Sequence, residues 1–360
     1  MQAPCIWIGI VLILCTTLAC VVPLTPDIYT DEYSPRSSDT FVESLAGQIT
    51  FVDWADPRQP LYTVSLPDIA ITEIGSYPRG ETVYTFRDGK QKLILKMDQD
   101  TNRDGVIGEY DLYSVYLQRS GEEKARLVPL PFQVGRCTWG AENTIAACSF
   151  DSRDVLPKED LDPYTFVVYL VNLESGELVR RLSDPSYSCW LPKLSFDGRM
   201  VAFQANIMDQ SESVAASEIQ IVSTQTGKLV YAIKDSMARE PVWAPDSLRL
   251  AFVTGTSVTD PNTGWPLSFD DVLCVDLNDN AYPVVNVTQT SRFLKPSYSS
   301  MASPVYIYSL IWLPDGKAIA SIWRVWESDE IWIVSVDGSE WLKVYASQNE
   351  HYHNLFDWPP

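Results

Sequence analysis

The sequence predicts an all-β protein, a six-bladed β-propeller whose ring is closed by pairing of the C-terminal strand with the first blade. Three observations lead to this prediction. A strand–turn–strand unit recurs along the chain, its copies lie 46 to 69 residues apart, and no segment carries a convincing helical pattern. A repeat of forty-odd residues with loop insertions is typical of propeller blades.

The repeating unit is clearest at residues 241–252 and 310–320. In the first copy, Pro245 presets φ for the turn, and Asp246 and Ser247 supply local side-chain hydrogen bonds. Apolar residues flank the turn on both sides, as expected for two paired strands. The aromatic residues that we take as anchors before the turns are Trp139, Phe196, Trp243, Trp312 and Trp358.

Taken in order, the predicted strands fall into six groups. The first group has three strands, at 49–54, 61–66 and 69–74, and each later group has four. The later strands are predicted at 82–86, 92–97, 112–117, 125–130, 135–139, 144–149, 165–171, 178–182, 191–196, 200–204, 218–223, 229–233, 241–243, 249–254, 272–277, 282–287, 306–313, 318–323, 331–336 and 341–345.

One strand-like segment, residues 354–358, remains after this grouping. It resembles the strand that precedes each turn, whereas residues 47–51 resemble the strand that follows one. We therefore expect residues 354–358 to form the innermost strand of the first blade. Such pairing would join the two ends of the chain and remove the edges of an open array.

The composition of the chain limits the classes of partner that it can bind. The chain has 360 residues, of which 46% are hydrophobic and 12% aromatic, and a formal net charge of −20. A propeller accommodates this length because it consists of many small sheets. The negative charge repels nucleic acids and anionic lipid surfaces, so we expect no nucleic-acid partner.

The N-terminus carries a targeting signal. Residues 5–22 are almost wholly apolar, and Leu18, Ala19 and Cys20 resemble the end of a bacterial lipoprotein signal, in which the cysteine becomes lipidated. Thr17 and the absence of a basic residue before Arg36 depart from that pattern. An uncleaved membrane anchor and an ordinary secretory signal stay open as alternatives. All three place the protein outside the cytoplasm, with membrane contact only through the lipid or the anchor.

The domain organisation follows. Residues 1–20 form the lipoprotein-type signal, residues 21–46 a tether rich in Pro, Ser, Thr and Asp, and residues 47–360 the propeller. The turns between first and second strands and between third and fourth strands are short, and we call their end of the ring the short-turn end. The insertions at 98–111, 151–164, 206–217, 255–271 and 289–305 all lie at the opposite end, the long-loop end. Loops that bind are commonly grouped on one side of a scaffold.

The strand–turn–strand units resemble the WD-like repeats of TolB-type six-bladed propellers. The resemblance covers residues 48–360; residues 241–252 and 310–320 match best, and the unit at Trp139 is degenerate. It implies the fold but leaves the function open, because such propellers include periplasmic scaffolds, domains of prolyl-oligopeptidase-like peptidases and lipoproteins. No Gly-x-Ser-x-Gly motif is present in the sequence.

Residues 100–111 have the spacing of an EF-hand-type Ca²⁺ loop. Oxygen ligands stand at the first, third, fifth and twelfth positions, and the seventh supplies a backbone carbonyl. We therefore predict a structural Ca²⁺ ion; the alternative is a metal-free turn rich in Asp, Asn and Gly. The predicted ligands are Asp100, Asn102, Asp104, Val106 and Asp111.

A few other residues carry chemistry. Cys137 is expected opposite Cys148 on paired strands, as a disulfide or as two buried thiols. The only histidines, His351 and His353, precede the closing strand and could bind a metal or simply lie exposed. Of the insertions, two carry aromatic residues that could contact a ligand or pack within the loops themselves: Trp265, Phe293 and Tyr298.

Together these features predict a non-catalytic scaffold anchored in the cell envelope, with an envelope protein, a peptide or a glycan bound at the long-loop end. One alternative is a calcium-dependent propeller enzyme, lactonase-like or glycan-active. The other is the accessory propeller of a separate peptidase. The sequence assigns no catalytic residue.

Overall fold

The structure is a computed structural model. It describes residues 37–53, 56, 58–78, 81–85, 91–99, 101, 111–140, 144–156, 165–208, 214–235, 237–259, 266–279, 281–288, 305–325, 328–346 and 353–356. Within these ranges, no helix is long and apolar enough to cross a membrane.

Strands dominate the first half of the chain. In order they are β1 (Gly47–Asp53), β2 (Pro60–Leu66), β3 (Ala70–Ser76), β4 (Glu81–Thr85), β5 (Lys92–Lys96), β6 (Ser114–Gln118), β7 (Arg126–Leu127), β8 (Arg136–Trp139), β9 (Ile145–Asp151), β10 (Phe166–Asn172), β11 (Leu178–Arg181) and β12 (Ser188–Leu194).

The second half continues in the same way. Its strands are β13 (Met200–Met208), β14 (Val214–Ser223), β15 (Leu229–Ile233), β16 (Arg239–Trp243), β17 (Arg249–Thr259), β18 (Pro266–Asp276), β19 (Val284–Asn286), β20 (Tyr306–Trp312), β21 (Ala318–Val325), β22 (Ser328–Ser335), β23 (Trp341–Ala346) and β24 (His353–Phe356).

These strands form six antiparallel four-stranded sheets, and the predicted all-β six-bladed propeller is confirmed. Blade 1 has the order β24-β1-β2-β3, and blade 2 has β4-β5-β6-β7. Blades 3 to 6 begin at β8, β12, β16 and β20 and each contain four consecutive strands. Each described strand overlaps one that the sequence predicts, because the alternation of apolar and polar residues marks the strands well.

The hydrophobic core lies between the blades rather than in one centre. Separate clusters join blades 2 and 3, 3 and 4, 4 and 5, 5 and 6, and 6 and 1. Between blades 1 and 2, the backbone N–H of Val83 donates to the hydroxyl of Tyr77 at 2.7 Å. Blades 3 to 6 are thus covered on both faces by their neighbours, which explains the nearly continuous apolar runs in their middle strands.

The end of the predicted tether differs from the sequence interpretation. It forms a helix, α1 (Asp39–Ser44), whose N-cap Ser38 donates from its backbone and its hydroxyl to Glu340 at 2.8 and 3.0 Å. Phe41 and Leu45 pack on the cluster between blades 6 and 1. The helix is too short for a periodic signal to reveal it in the sequence. A single-turn helix, α2 (Ser152–Val155), follows β9.

One anchor assignment was wrong. In three blades, the residue that follows the anchor pairs across the turn: Ser195 N–H with Met200, Ala244 with Arg249, and Leu313 with Ala318, at 2.8 to 2.9 Å. By this register the residues equivalent to Trp243 and Trp312 are Trp139 and Leu194, not Phe196.

Burial agrees with the corrected register. Leu194 is 7% exposed, close to the 4% of Trp243, whereas Phe196 is 38% exposed. Phe196 occupies the turn position held by Pro245 in the next blade. Phe196 was assigned as the anchor because it is aromatic. The anchor position instead requires a buried side chain at a fixed distance from the turn.

The anchors join consecutive blades. The indole N–H of Trp243 donates to the carbonyl of Lys193 at 2.8 Å, and that of Trp312 donates to the carbonyl of Val242 at 3.1 Å. Each acceptor is the residue just before the anchor of the preceding blade. Blade 3 has Gly140 after its anchor, where a Cβ would come within 2.7 Å of the carbonyl oxygen of Ser195. This glycine lets the turn of blade 4 approach closely.

Two insertions at the long-loop end are largely strands and not the loops that we expected. In blade 5, β17 and β18 stay paired from Arg249↔Asp276 to Thr259↔Pro266, through most of residues 255–271. In blade 4, β13 and β14 stay paired as far as Met208↔Val214. Polar residues interrupt the apolar pattern there, so the extension was not evident from hydrophobicity.

The C-terminal strand pairs with the first blade. β24 runs antiparallel to β1, with Thr50 facing Phe356 and Val52 facing Asn354. The statement that this pairing is what closes the ring stays a prediction.

We expect the double variant Val52→Cys with Asn354→Cys to form a disulfide, because these residues face each other across the two strands. The bridge would link the two ends of the chain and stabilise the fold by roughly 2–4 kcal/mol. Mass spectrometry and thermal melting measure both effects. The control, Val52→Cys with Leu355→Cys, places the second thiol on the opposite face and should stay reduced. Equal bridging in both variants would contradict the pairing.

Candidate ligand-binding end

Buried carboxylates are confined to one end of the ring. In the part of the chain that the structure describes, seven acidic side chains are buried, and all lie near the connection between the second and third strands of a blade, at the long-loop end. The short-turn end instead carries exposed aspartates, such as Asp246 and Asp315, which accept backbone N–H groups within their own turns. The seven are Asp111, Asp151, Glu218, Asp270, Asp271, Asp329 and Glu330.

Asp270 links blade 5 to blade 6. Its carboxylate forms an ion pair with Arg239 and accepts the backbone N–H of Ile307 at 2.7 Å. Its own backbone N–H donates to the carbonyl of Val305 at 2.9 Å. Burial raises the pKa of Asp270, and the hydrogen bond and positive charge of Arg239 oppose that rise. The group therefore serves as an inter-blade connection.

Blade 6 holds two further acids in the same way. Asp329 accepts from Arg324 at 3.0 Å and from the hydroxyl of Tyr308. Glu330 forms an ion pair with Lys343 at 3.0 Å and accepts the indole N–H of Trp332 at 2.8 Å; Lys343 also lies over the Trp332 ring. Buried acids with cationic and hydrogen-bonding partners are typical of structural networks.

The predicted calcium loop lies mostly outside the described residues. Of its predicted ligands, Asp100, Asn102, Asp104 and Val106 lie outside them, and Asp111 is described. Within the described ranges, no group of three or more His, Cys, Asp or Glu side chains is arranged to hold a metal ion. The Ca²⁺ assignment therefore stays a prediction.

Asp111 itself is turned toward the start of the loop. Its Oδ1 accepts the backbone N–H of Thr101 at 2.7 Å and the Thr101 hydroxyl at 3.0 Å, and the Thr101 hydroxyl accepts the N–H of Leu112 at 2.8 Å. Nearby, Asp98 accepts from the hydroxyls of Ser114 and Tyr116, both at 2.6 Å. The hydrogen bond to Asp98 raises the pKa of Tyr116 to about 12. These bonds hold the two ends of the insertion together.

The inner strands of three blades carry a repeated left-handed residue. Leu191, Glu240 and Ser309 have φ of 50°, 53° and 54°, and each lies at a register shift between the first and second strands. All three stand three residues before the anchor position. Left-handed φ is unfavourable for such residues, so the repeat marks a bulge that is built into the inner strands. These bulges were not predicted from the sequence.

Other predicted positions have mixed outcomes. Cys137 and Cys148 face each other on β8 and β9 and form a disulfide, which decides between the two alternatives left open. Cys189 and Cys274 are buried free thiols. His353 lies in β24. Several sites fall outside the described residues, namely Cys20, His351, Trp265, Phe293 and Tyr298.

One acidic position that repeats in three blades was not predicted from the sequence. Glu218, Asp271 and Glu330 occupy the same position in blades 4, 5 and 6, since each faces the residue eleven positions after its anchor position. An internal alignment of the repeats would have detected this spacing. It requires the corrected anchor of blade 4, Leu194, because an alignment on Phe196 shifts that blade by two residues.

The comparisons with known proteins concern the fold. No family model and no curated protein matches the chain. Among solved structures, the chain is similar to TolB from Acinetobacter baumannii, with a TM-score of 0.54, 14% identity, and coverage of 86% of this chain and 67% of that chain.

Two further solved structures are less similar. A putative TolB from Agrobacterium tumefaciens has a TM-score of 0.48 and 10% identity, covering 88% of this chain and 99% of that chain. An oligogalacturonate lyase from Vibrio parahaemolyticus has a TM-score of 0.47 and 13% identity, covering 84% and 73%. At these values neither supports a statement about function. The first comparison supports the fold: the chain is a six-bladed β-propeller, and its fold is similar to that of TolB.

Proposed function

We propose that this protein is a non-catalytic scaffold, exported and tethered to the membrane, that binds a protein, peptide or glycan ligand at its long-loop end. The observation that carries the proposal is the confinement of all seven described buried carboxylates to that end. Asp270 connects blades 5 and 6, and Asp271, Asp329 and Glu330 connect strands within their blades, which gives this end of the ring a rigid framework. Rigid support of variable loops is the usual design of a binding surface.

The partners of these carboxylates favour binding over catalysis. A glycosidase-type mechanism needs two carboxyl groups that face one substrate, one of them available as an acid. Here Asp270, Asp329 and Glu330 are engaged with Arg239, Arg324 and Lys343. These pairs support a scaffold role.

The proposal includes attachment of the propeller to the membrane through the N-terminal tether. Cys20 would carry the lipid, residues 21–36 would span the distance from the membrane, and α1 would attach that segment to blades 6 and 1. Cys20→Ser removes the acceptor for the lipid. We expect the parent to incorporate labelled palmitate in the cell and this variant to lose the label, which gel fluorography measures. A parent without label would contradict lipidation and favour an uncleaved anchor or an ordinary secretory signal.

Photocrosslinking tests which end of the ring binds. We expect p-benzoylphenylalanine at Trp265 or Phe293, in two insertions, to give discrete adducts in intact cells. The matched control is the same probe at Phe196, an exposed aromatic residue in a short turn. Gel mobility and mass spectrometry of the adducts are the measurements. Adducts at Phe196 alone would place the partner at the other end and contradict the proposal.

A structural calcium ion in residues 100–111 is also part of the proposal. The support is the donor spacing together with the bonds from Thr101 to Asp111, which bring the two ends of the loop together. Oxygen donors at these positions suit a hard cation such as Ca²⁺. A bound ion would link ligands from both halves of residues 100–111.

Calcium should therefore raise the melting temperature of the protein, and EDTA should reverse the rise, because an ion that binds only the folded state stabilises it. Asp104→Asn should abolish the response, since it removes a charged ligand. Glu123→Gln is the matched control: it removes one charge from an exposed turn and should respond like the parent. Titration calorimetry measures the stoichiometry, expected to be one ion. No response in the parent would rule out the site.

A further inference from the structure

A groove of about 830 Å³ lies between blades 3 and 4. Blade 3 and the link that follows it contribute Arg181, Asp184 and Tyr187, and the two outer strands of blade 4 contribute its other wall. Ile207, Ala216 and Ser217, at the base of the blade 4 insertion, line it as well. The scaffold proposal counts Glu218 among its buried carboxylates but assigns no ligand to this groove.

The floor of the groove contains a buried carboxylate. Glu218 is 9% exposed and accepts one hydrogen bond, from the side-chain amide of Gln220 at 2.7 Å. Among the described residues, no Lys, Arg or His side chain forms an ion pair with it. A buried carboxylate with a single neutral donor is costly, because it has lost its hydration without gaining a cation.

The equivalent acids in the next two blades have a second donor. In blade 5, Asp271 accepts from Asn286 at 2.9 Å, and in blade 6, Glu330 accepts from Lys343 at 3.0 Å. Asn286 and Lys343 occupy the same place: each stands on the outermost strand, paired with the residue two positions after the acid.

In blade 4 that place is taken by Ala232, which faces Gln220 on the outer strand. Alanine has no donor, and its small side chain leaves the space that forms the groove; Ala232 lines it. Blades 5 and 6 supply this donor from their own outermost strand, whereas blade 4 lacks it. Blade 4 nevertheless has the acid, Glu218, that such a donor would bind.

Blade 6 shows which chemical group can pair with the acid from the outermost strand. The Nζ atom of Lys343 contacts Glu330 and lies 5.4 Å from the centroid of the Trp332 ring, so an ammonium on a straight alkyl stem fits between acid and neighbour. In blade 4, Gln220 replaces Trp332 and leaves more room.

The electrostatic surroundings favour a cation at the floor. Burial and the negative charges of Glu218 and Asp184 raise the pKa of Tyr187, in that order. The two basic residues that line the groove, Arg181 and Lys234, have exposed side chains at its rim. The acidic group is therefore buried in the groove, where the donor of a ligand would lie, and the basic groups are exposed at the surface.

We propose that this groove binds a primary alkylammonium group, which donates to Glu218 from the place that Lys343 takes in blade 6. The group can belong to a lysine side chain of a peptide or to a free alkylamine, and both present the same chemistry to the acid. This inference does not depend on which ligand the insertions bind, because its tests measure the interaction with Glu218 directly.

The first test supplies the missing donor within the chain. In the full-length protein, Ala232→Lys should raise the melting temperature by about 2 °C or more, because it restores the pair seen in blade 6. Ala232→Met fills the same space without a charge and should give a smaller rise. The double variant Ala232→Lys with Glu218→Gln should lose the extra rise. An equal effect of Lys and Met, or an effect that persists with Glu218→Gln, would overturn the proposal.

The second test uses ligands and does not depend on the folding of a variant. Calorimetry should show that Nα-acetyl-lysine methylamide binds the parent at least tenfold more tightly than its Nε-acetylated form, which lacks the charge. Cadaverine is the free-amine arm: tighter binding of cadaverine points to a free amine, and tighter binding of the lysine derivative points to a peptide. Glu218→Gln should weaken both at least tenfold, whereas the exposed Glu177→Gln should not. Equal binding of the two lysine derivatives, or no binding of either amine, would refute the site.

Discussion

Blades 4 to 6 depend on one repeated interaction, the contact of the anchor position with the backbone of the preceding blade. A buried indole N–H needs an acceptor, and in blades 5 and 6 this is the carbonyl next to the previous anchor. The contact fixes both the distance and the rotation between consecutive sheets. The turns beside the anchors therefore have little freedom, as shown by Gly140 and by the hydrogen bond from the N–H of Asp197 to the hydroxyl of Ser247.

The other end of the ring is under different constraints. There the blades are joined by bonds to individual side chains, such as the carboxylate of Asp270 in blade 5, which accepts the backbone N–H of Ile307 in blade 6, rather than by a repeated indole-to-backbone contact. Each blade can contact its neighbour through different side chains, so insertions and extended hairpins are tolerated at this end. In blade 4 the shared acid Glu218 is kept while its outer-strand donor is replaced by Ala232. Because blade 4 lacks this donor, a ligand can supply the hydrogen bond to Glu218.

The sequence was sufficient for the features that depend on local patterns. Strand positions, blade number and the placement of Cys137 opposite Cys148 follow from alternating burial and turn chemistry, and the structure agrees with them; the disulfide itself was left open. Features that depend on neighbouring blades could not be predicted. Leu194 acts as an anchor only because its position faces blade 3, and α1 is held by Glu340, about 300 residues away. The shared acid was detectable in principle, but only once the blades were aligned on Leu194.

The most direct measurement of this account compares Leu194→Ala with Phe196→Ala in urea unfolding. If the anchor position joins the blades, Leu194→Ala lowers the free energy of unfolding by about 2–4 kcal/mol, because it leaves a cavity between blades 3 and 4. Phe196 is the larger and more exposed side chain, and its removal should cost less than about 1 kcal/mol. A larger loss for Phe196→Ala would show that the aromatic residue is the anchor and would contradict the register on which the blade comparison rests.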